Sequence, residues 1–259
     1  MRVRVKYNRA WVEIISIYDK VAPYFLKDVP ALPKDIDESS AQKIFDMIYP
    51  NENILLEFTD SNMKLSNKAK VLYELIPHLE GAYWNQISKI LNQWAESLER
   101  NLNKMAPNLN MHIQQLFGVD LPSDFLVMLS YGKEKDFLKG SQISDAPLIN
   151  LEIAEDRGFN AHLDIVLHEI LHYLIKTQGL HAKFKKAGKS RMFEEAFVKF
   201  LVPRGILSKR MGIAEFNIEK IKDNRCDKEI DFLRPYMLEY YSNNPSETIF
   251  QFLERKKVL

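Results

Sequence analysis

Cysteine is almost absent from this chain of 259 residues, since Cys226 is the single one. One cysteine excludes an internal disulfide and a zinc cluster built from cysteines, and it is typical of proteins in a reduced compartment. Neither sign of charge predominates, because 27% of the residues are charged but the net charge is only +1. We therefore expect neither nucleic acid nor an acidic membrane as a main partner.

Long apolar runs are also missing. No stretch has the roughly 20 apolar residues that cross a bilayer, so we expect no membrane segment. The segment from Met1 to Asp19 lacks an uninterrupted apolar core followed by a small-residue cleavage site, so we expect no signal peptide. These absences predict a cytoplasmic protein. With 46% hydrophobic residues, the composition is that of a globular chain with one large domain or two modest ones.

Helical patterns dominate the N-terminal region. Alternation from Arg2 to Tyr7 predicts a short half-buried strand, and helices are predicted from Trp11 to Val21 and from Asp37 to Tyr49. Ser66 to Leu116 is the clearest helical stretch, because its apolar residues form one stripe. The stripe consists of Ile87, Ile90, Leu91, Trp94 and Leu98. Prolines are expected to interrupt this region: Pro23, Pro30 and Pro33 after the first helix, and Pro77 and Pro107 in the longest helical stretch.

Strand and helix patterns follow one another after Gly118. Phe125 to Tyr131 predicts a strand, and Pro147 to Ile153 predicts a half-exposed strand because apolar and polar residues alternate in it. A charged turn from Gly132 to Lys139 separates the two. The pattern as a whole predicts an α+β, mainly helical fold, with a helical N-terminal region at residues 1–117 and a second domain at residues 118–259.

Residues 168 to 172 read His-Glu-Ile-Leu-His, on a helix predicted from a cap at Asn160 to about Gly179. Helix positions four apart lie on one face with Cβ atoms roughly 6 Å apart, so His168 and His172 can bind one metal ion together. Glu169 lies about 100° further round the helix, where it can act on a metal-bound water without binding the metal. Two imidazoles, one carboxylate base and an open coordination position are the parts of a zinc hydrolase.

The residues around this motif are mostly apolar, which predicts a buried helix: Leu163, Val166, Leu167, Ile170, Leu171 and Leu174. Polar side chains in such a place are unfavourable without partners, and a metal ion supplies one. Asp164 precedes His168 by one turn. It either orients a ligand imidazole or interacts favourably with the helix dipole.

A second helix is predicted from Arg191 to Val202, with Ser190 as its cap, and it contains the sequence Phe-Glu-Glu-Ala-Phe-Val. Together with the upstream motif, this segment resembles the gluzincin metallopeptidases, the thermolysin-like and aminopeptidase-like group. The resemblance covers residues 145–205. In that group the third zinc ligand is a glutamate on a second helix, followed by a small residue and an apolar run. The resemblance therefore implies Glu195, which precedes an alanine, rather than Glu194.

The chain departs from this pattern in two ways. The step from His172 to Glu195 is 23 residues, longer than usual, and a basic linker from Lys183 to Arg191 is expected to absorb the excess. The aspartate that thermolysin-like enzymes place four residues after the glutamate is Lys199 here. His181 remains open as an alternative ligand, although positions 175 and 178 lack the glycine and histidine of the metzincin motif. It is also a candidate oxyanion donor, together with three tyrosines: Tyr236, Tyr240 and Tyr241.

The resemblance implies a zincin-like catalytic domain, made of a small sheet, an active-site helix and a glutamate helix. His168, His172 and Glu195 would hold one Zn²⁺ per chain. Glu169 would be the general base in zinc-dependent hydrolysis of a peptide or protein substrate, which would align along Pro147 to Ile153 as an edge strand. The alternative is a non-catalytic or regulatory zincin-fold module that binds metal and a partner without turnover.

Overall fold

The computed structural model describes residues 1–26, 29, 31–32, 34, 36–60, 62, 64–132, 140–143, 146–243 and 246–259. Apart from Gly132, the predicted charged turn from Gly132 to Lys139 lies outside these residues. The described part is mainly helical and contains one four-stranded mixed sheet, which confirms the predicted α+β class. No helix in this part combines the length and apolarity that a membrane crossing requires.

The sheet has the strand order β1-β2-β4-β3 in the described part of the chain. The strands are β1 at Arg2–Lys6, β2 at Asp124–Tyr131, β3 at Gly140–Gln142 and β4 at Leu148–Ile153. Strand β4 runs parallel to β2 and antiparallel to β3, and all six of its residues are buried. The prediction of a half-exposed edge strand was therefore wrong. Neighbouring strands lie on both sides of β4 at residues 149–151, so a peptide cannot pair with β4 there.

Ten α-helices are present among the described residues. They are α1 Arg9–Phe25, α2 Glu38–Ile48, α3 Asn67–Leu75, α4 Gly81–Phe117, α5 Phe159–Thr177, α6 Leu180–Lys186, α7 Arg191–Lys199, α8 Ile206–Arg210, α9 Asp227–Asn243 and α10 Ile249–Arg255. Several of these helices begin after a capping residue, whose side-chain oxygen accepts a hydrogen bond from the backbone N–H three residues later. These caps are Asn8, Asp37, Ser66, Ser190 and Thr248.

The predicted proline breaks have different outcomes, and Pro30 and Pro33 lie outside the described residues. Pro77 lies between α3 and α4, as predicted. Pro23 and Pro107 lie inside α1 and α4, so the prediction that they interrupt the helical region was wrong. A proline removes one backbone hydrogen bond from a helix, and burial on one face maintains α4 around this position. Its buried residues there include Leu102, Ala106, Leu109 and Ile113.

Two compact units make up the chain. One comprises residues 4–100 and 126–156, and the other comprises residues 1–3, 101–125 and 157–259. The domain boundary near residue 117 stays a prediction. In the first unit, apolar residues pack around Trp11, which is fully buried and donates its indole N–H to Asn150 Oδ1 at 3.1 Å.

A buried carboxylate lies in the same unit. Glu13 has no exposed side-chain surface, and its oxygens accept hydrogen bonds from Arg9 Nε, Tyr73 Oη, His78 Nδ1 and the Leu79 backbone N–H at 2.8–3.1 Å. Burial alone would raise the pKa of Glu13. The hydrogen bonds outweigh burial and lower the pKa, so the carboxylate is ionised and links α1 to the segment before α4.

Aromatic packing organises the second unit. The ring of Phe184 lies 5.5–5.6 Å from the rings of Phe193, Phe197 and Phe250. Phe184 is on α6, so the prediction that Lys183 to Arg191 is entirely a linker was wrong for its first part. Helix α6 forms because its two buried residues lie one turn apart at Leu180 and Phe184, which docks one face of the helix against α7.

Candidate metal centre

Helix α5 carries the His-Glu-Ile-Leu-His motif, as predicted. It begins at Phe159 after Gly158, so the prediction of Asn160 as its cap was wrong. The side chain of Asn160 donates instead to the Ile213 carbonyl at 3.1 Å. The six apolar residues from which the buried helix was predicted are buried, whereas His168 and His172 keep 12% and 16% of their side chains exposed. The two imidazoles therefore lie within the protein but remain accessible to solvent.

Helix α7 brings Glu195 to the two histidines. The Nε2 atoms of His168 and His172 lie 3.1 Å apart. Glu195 Oε2 lies 3.6 Å from His168 Nε2, and Glu195 Oε1 lies 3.4 Å from His172 Nε2. Among the described residues, these three form the group of side chains able to hold a metal ion. The structure thus brings together the three residues predicted as ligands.

The spacing of these atoms fits a divalent cation. A tetrahedral ion with bonds of about 2.0–2.1 Å separates its ligand atoms by about 3.3 Å. The nitrogen–nitrogen separation of 3.1 Å and the nitrogen–oxygen separations of 3.4 and 3.6 Å, which end on the two different oxygens of Glu195, are close to this value. Two imidazole nitrogens and a carboxylate oxygen are also donors that such cations bind. The residues present therefore fit a bound metal in both geometry and chemistry.

Glu194 has a different role from its neighbour. Its Oε1 accepts a hydrogen bond from His172 Nδ1 at 2.8 Å, and its Oε2 accepts one from His181 Nδ1 at 2.8 Å. When Nδ1 of His172 donates to Glu194, a neutral imidazole has its lone pair on Nε2, the nitrogen that faces His168 and Glu195. A carboxylate that orients a metal-binding imidazole in this way is common in metal sites. No role was predicted for Glu194, whose side chain points about 100° round the helix from that of Glu195.

The charges at this centre favour a cation. Burial disfavours the protonated form of His172, but hydrogen bonds to Glu194 and Glu195 outweigh it and raise the pKa of His172 to about 9. Burial likewise opposes ionisation of Glu195, but the close contacts with the imidazoles of His168 and His172 hold the pKa of Glu195 well below its usual range. Two ionised carboxylates beside two imidazoles thus stabilise positive charge at this position.

The catalytic candidate Glu169 is half-buried on α5. Its negative charge is close enough to contribute to the raised pKa of His172, after burial and the interactions with Glu194 and Glu195. This is consistent with a position beside the metal-binding face. Its role as general base stays a prediction.

Asp164 neither orients a ligand imidazole nor lies where it would interact with the helix dipole. It lies beyond the first turn of α5, and its Oδ1 accepts a hydrogen bond from the buried Ser208. Burial raises the pKa of Asp164, opposed by its bonds to Ser208 and Arg204. Meanwhile His168 Nδ1 is buried without a hydrogen-bond partner in the described part of the chain. Asp164 therefore joins α5 to α8 rather than orienting His168.

The candidate oxyanion donors are mostly engaged elsewhere. Tyr240 donates to the Glu247 carbonyl and Tyr241 to the Phe200 carbonyl, both at 3.1 Å. The ring of Tyr236 lies 5.7 Å from that of Phe232, tilted by 49°. The assignment of this donor stays a prediction, with Tyr240 and Tyr241 acting as structural groups.

Lys199 occupies the place where the resemblance leads one to expect an aspartate. Its Nζ lies 2.8 Å from Asp223 Oδ2, and Arg225 contacts the same carboxylate at 3.1 Å. These two bonds, with that of Arg225 the larger effect, hold the pKa of Asp223 well below its usual range. Lys199 is thus neutralised, and the carboxylate that orients a histidine is Glu194 instead.

Comparisons of the chain with protein-family models, with curated proteins and with solved structures found no match.

Proposed function

We propose that this chain is a zinc-dependent peptidase with a gluzincin-like site in a zincin-like domain, in which His168, His172 and Glu195 hold one Zn²⁺. The supporting observation is the grouping of two imidazole nitrogens with the two oxygens of one carboxylate, at distances of 3.1–3.6 Å. Three protein ligands leave a fourth tetrahedral position, as in catalytic zinc sites. Bound zinc supplies Lewis acidity that activates water at neutral pH. The substrate is a peptide or protein, and the expected location is the cytoplasm.

Glu169 is the proposed general base. Its carboxylate takes a proton from the attacking water and delivers it to the nitrogen of the leaving amine. Glu194 keeps the proton of His172 on Nδ1, so that Nε2 remains free to bind the cation. This arrangement assigns separate tasks to three carboxylates: Glu169 moves the proton, Glu194 orients an imidazole and Glu195 binds the metal.

The alternative is a regulatory or interaction module that binds metal without turnover. It is favoured by the engagement of the Tyr240 and Tyr241 hydroxyls with backbone carbonyls, because zinc peptidases need a donor to stabilise the oxyanion. The two functions share the metal centre and differ in catalysis.

Elemental analysis of the purified protein tests the metal centre. We expect one zinc per chain in the wild type and loss of zinc in His168→Ala. Glu215→Gln, which changes an exposed acid outside the centre, is the matched control and should retain the metal. Wild-type protein that takes up no divalent ion, even when zinc is supplied, would refute both functions.

Cleavage of a mixed peptide library tests catalysis. Glu169→Gln keeps the size of the side chain and removes the base, so we expect activity to fall by roughly 10²- to 10⁴-fold while zinc content is unchanged. Cleavage at the wild-type rate would show that Glu169 is not the base. A zinc-loaded wild type that cleaves no peptide in the library would favour the interaction module.

A further inference from the structure

One residue of α6 reaches the metal centre through Glu194. His181 is the second residue of this helix, and its Nδ1 donates to Glu194 Oε2 at 2.8 Å. The other oxygen of that carboxylate accepts from His172 Nδ1 at 2.8 Å. The three side chains form a continuous hydrogen-bonded series, which starts at a histidine that is 55% exposed and ends at a partly buried one.

The backbone that carries His181 is held in place by packing. Phe184, three residues further along α6, is 1% exposed and contacts the rings of Phe193 and Phe197 on α7. Glu194 lies between these two aromatic residues in the sequence. The same surface of α7 therefore receives both the apolar contact of α6 and its polar contact. The segment between the second histidine and the glutamates is a docked element that supplies a side chain to the centre.

We propose that His181 is a positioning residue of the metal centre, which fixes the carboxylate of Glu194 so that His172 presents Nε2 to the metal. This inference rests on the proposed metal site. With both oxygens of Glu194 bound by imidazole N–H groups, the carboxylate cannot turn away from His172. Without His181, Oε2 is left to water, and the orientation of the His172 ring becomes less restricted.

The expected effect is measurable as metal affinity. Loss of a group that directly orients a metal ligand weakens binding by about 10- to 100-fold. His181 acts one step further out, so we expect His181→Ala to raise the Kd for zinc by roughly three- to tenfold. His181→Asn keeps an N–H donor close to the position of Nδ1 and should bind within about twofold of the wild type.

The experiment titrates the metal-free full chain with Zn²⁺ against a competing chelator at one fixed pH. Lys185→Ala is the matched control, because Lys185 is an exposed residue of the same helix and its loss should leave the Kd unchanged. Unchanged zinc affinity in His181→Ala would overturn the proposal. So would a His181→Asn variant as weak as His181→Ala, since a donor at that position would then be irrelevant.

A double-mutant cycle separates positioning from simple packing of α6. If His181 acts through Glu194, the loss caused by His181→Ala should fall below about twofold in a Glu194→Ala background. An equal loss in both backgrounds would overturn the proposal. If Glu194→Ala fails to fold, the comparison of His181→Ala with His181→Asn decides. A wild type that binds no zinc overturns the metal centre itself, whereas tight wild-type binding with unchanged His181→Ala overturns the role of His181 alone.

Discussion

Two adjacent glutamates, Glu194 and Glu195, should respond very differently to the same substitution. Glu195→Gln replaces a charged ligand in a partly buried site, and removing one partner of such a charge pair costs about 3–5 kcal/mol. That corresponds to more than roughly 100-fold in Kd for zinc. Glu194→Gln retains a carbonyl oxygen that can accept from His172 Nδ1, so it loses the charge but keeps one hydrogen bond.

The smaller effect at Glu194 follows from the strength of that bond. A hydrogen bond to a charged group contributes about 1–1.5 kcal/mol more than a neutral one, which is about 5- to 12-fold in Kd. The assay is zinc competition with a chelator, with circular dichroism to check that both variants fold. An equal loss of zinc affinity in the two variants, or a larger loss in Glu194→Gln, would refute the assignment of Glu195 as a ligand and Glu194 as an orienting carboxylate.

Three further predictions concern stability. Glu13→Gln should lower the free energy of unfolding in urea by about 2–4 kcal/mol at neutral pH. Because the folded-state pKa of Glu13 is lowered, this difference should shrink as pH falls below about 4, where the carboxylate takes up a proton; a pH-independent difference would contradict it. Lys199→Met removes one of the two ion pairs of Asp223 and should lower the free energy of unfolding by up to about 1 kcal/mol, an effect that salt weakens. An unchanged free energy of unfolding in low salt would count against a stabilising role of the ion pair. Phe184→Ala should cost about 3–5 kcal/mol in thermal or urea unfolding, and a loss below 1 kcal/mol would mean that the α6 contact is not part of the core.

The parts of the centre that depend on local spacing could be predicted from the sequence. His168 and His172 share a face because they are four residues apart on one helix, and this holds whatever surrounds the helix. The cap at Ser190 is local in the same sense, because its oxygen bonds a backbone N–H three residues later. These two features need only the helical repeat, and the sequence predicted both, whereas the cap predicted at Asn160 was wrong.

The remaining features depend on tertiary contacts. Which glutamate reaches the Nε2 atoms of the histidines depends on how α7 is rotated against α5. The sequence of α7 alone does not contain that rotation, and the choice of Glu195 came from the resemblance. The burial of Leu148–Ile153 depends on strand order, which alternation does not reveal. Helix α6 was predicted as part of a linker because lysines dominate its sequence, and only two residues of it, Leu180 and Phe184, are buried.

The division of the ligand set between α5 and α7 has a thermodynamic consequence. His168 and His172 approach Glu195 only when both helices are packed, so an unfolded chain offers no comparable site. Any cation bound here is therefore a ligand of the native state alone, and free metal concentration becomes a determinant of the unfolding temperature. At a free concentration of 100 times Kd the native state gains about 2.7 kcal/mol. A preparation exposed to chelator should unfold earlier than a metal-loaded one, although every residue is the same.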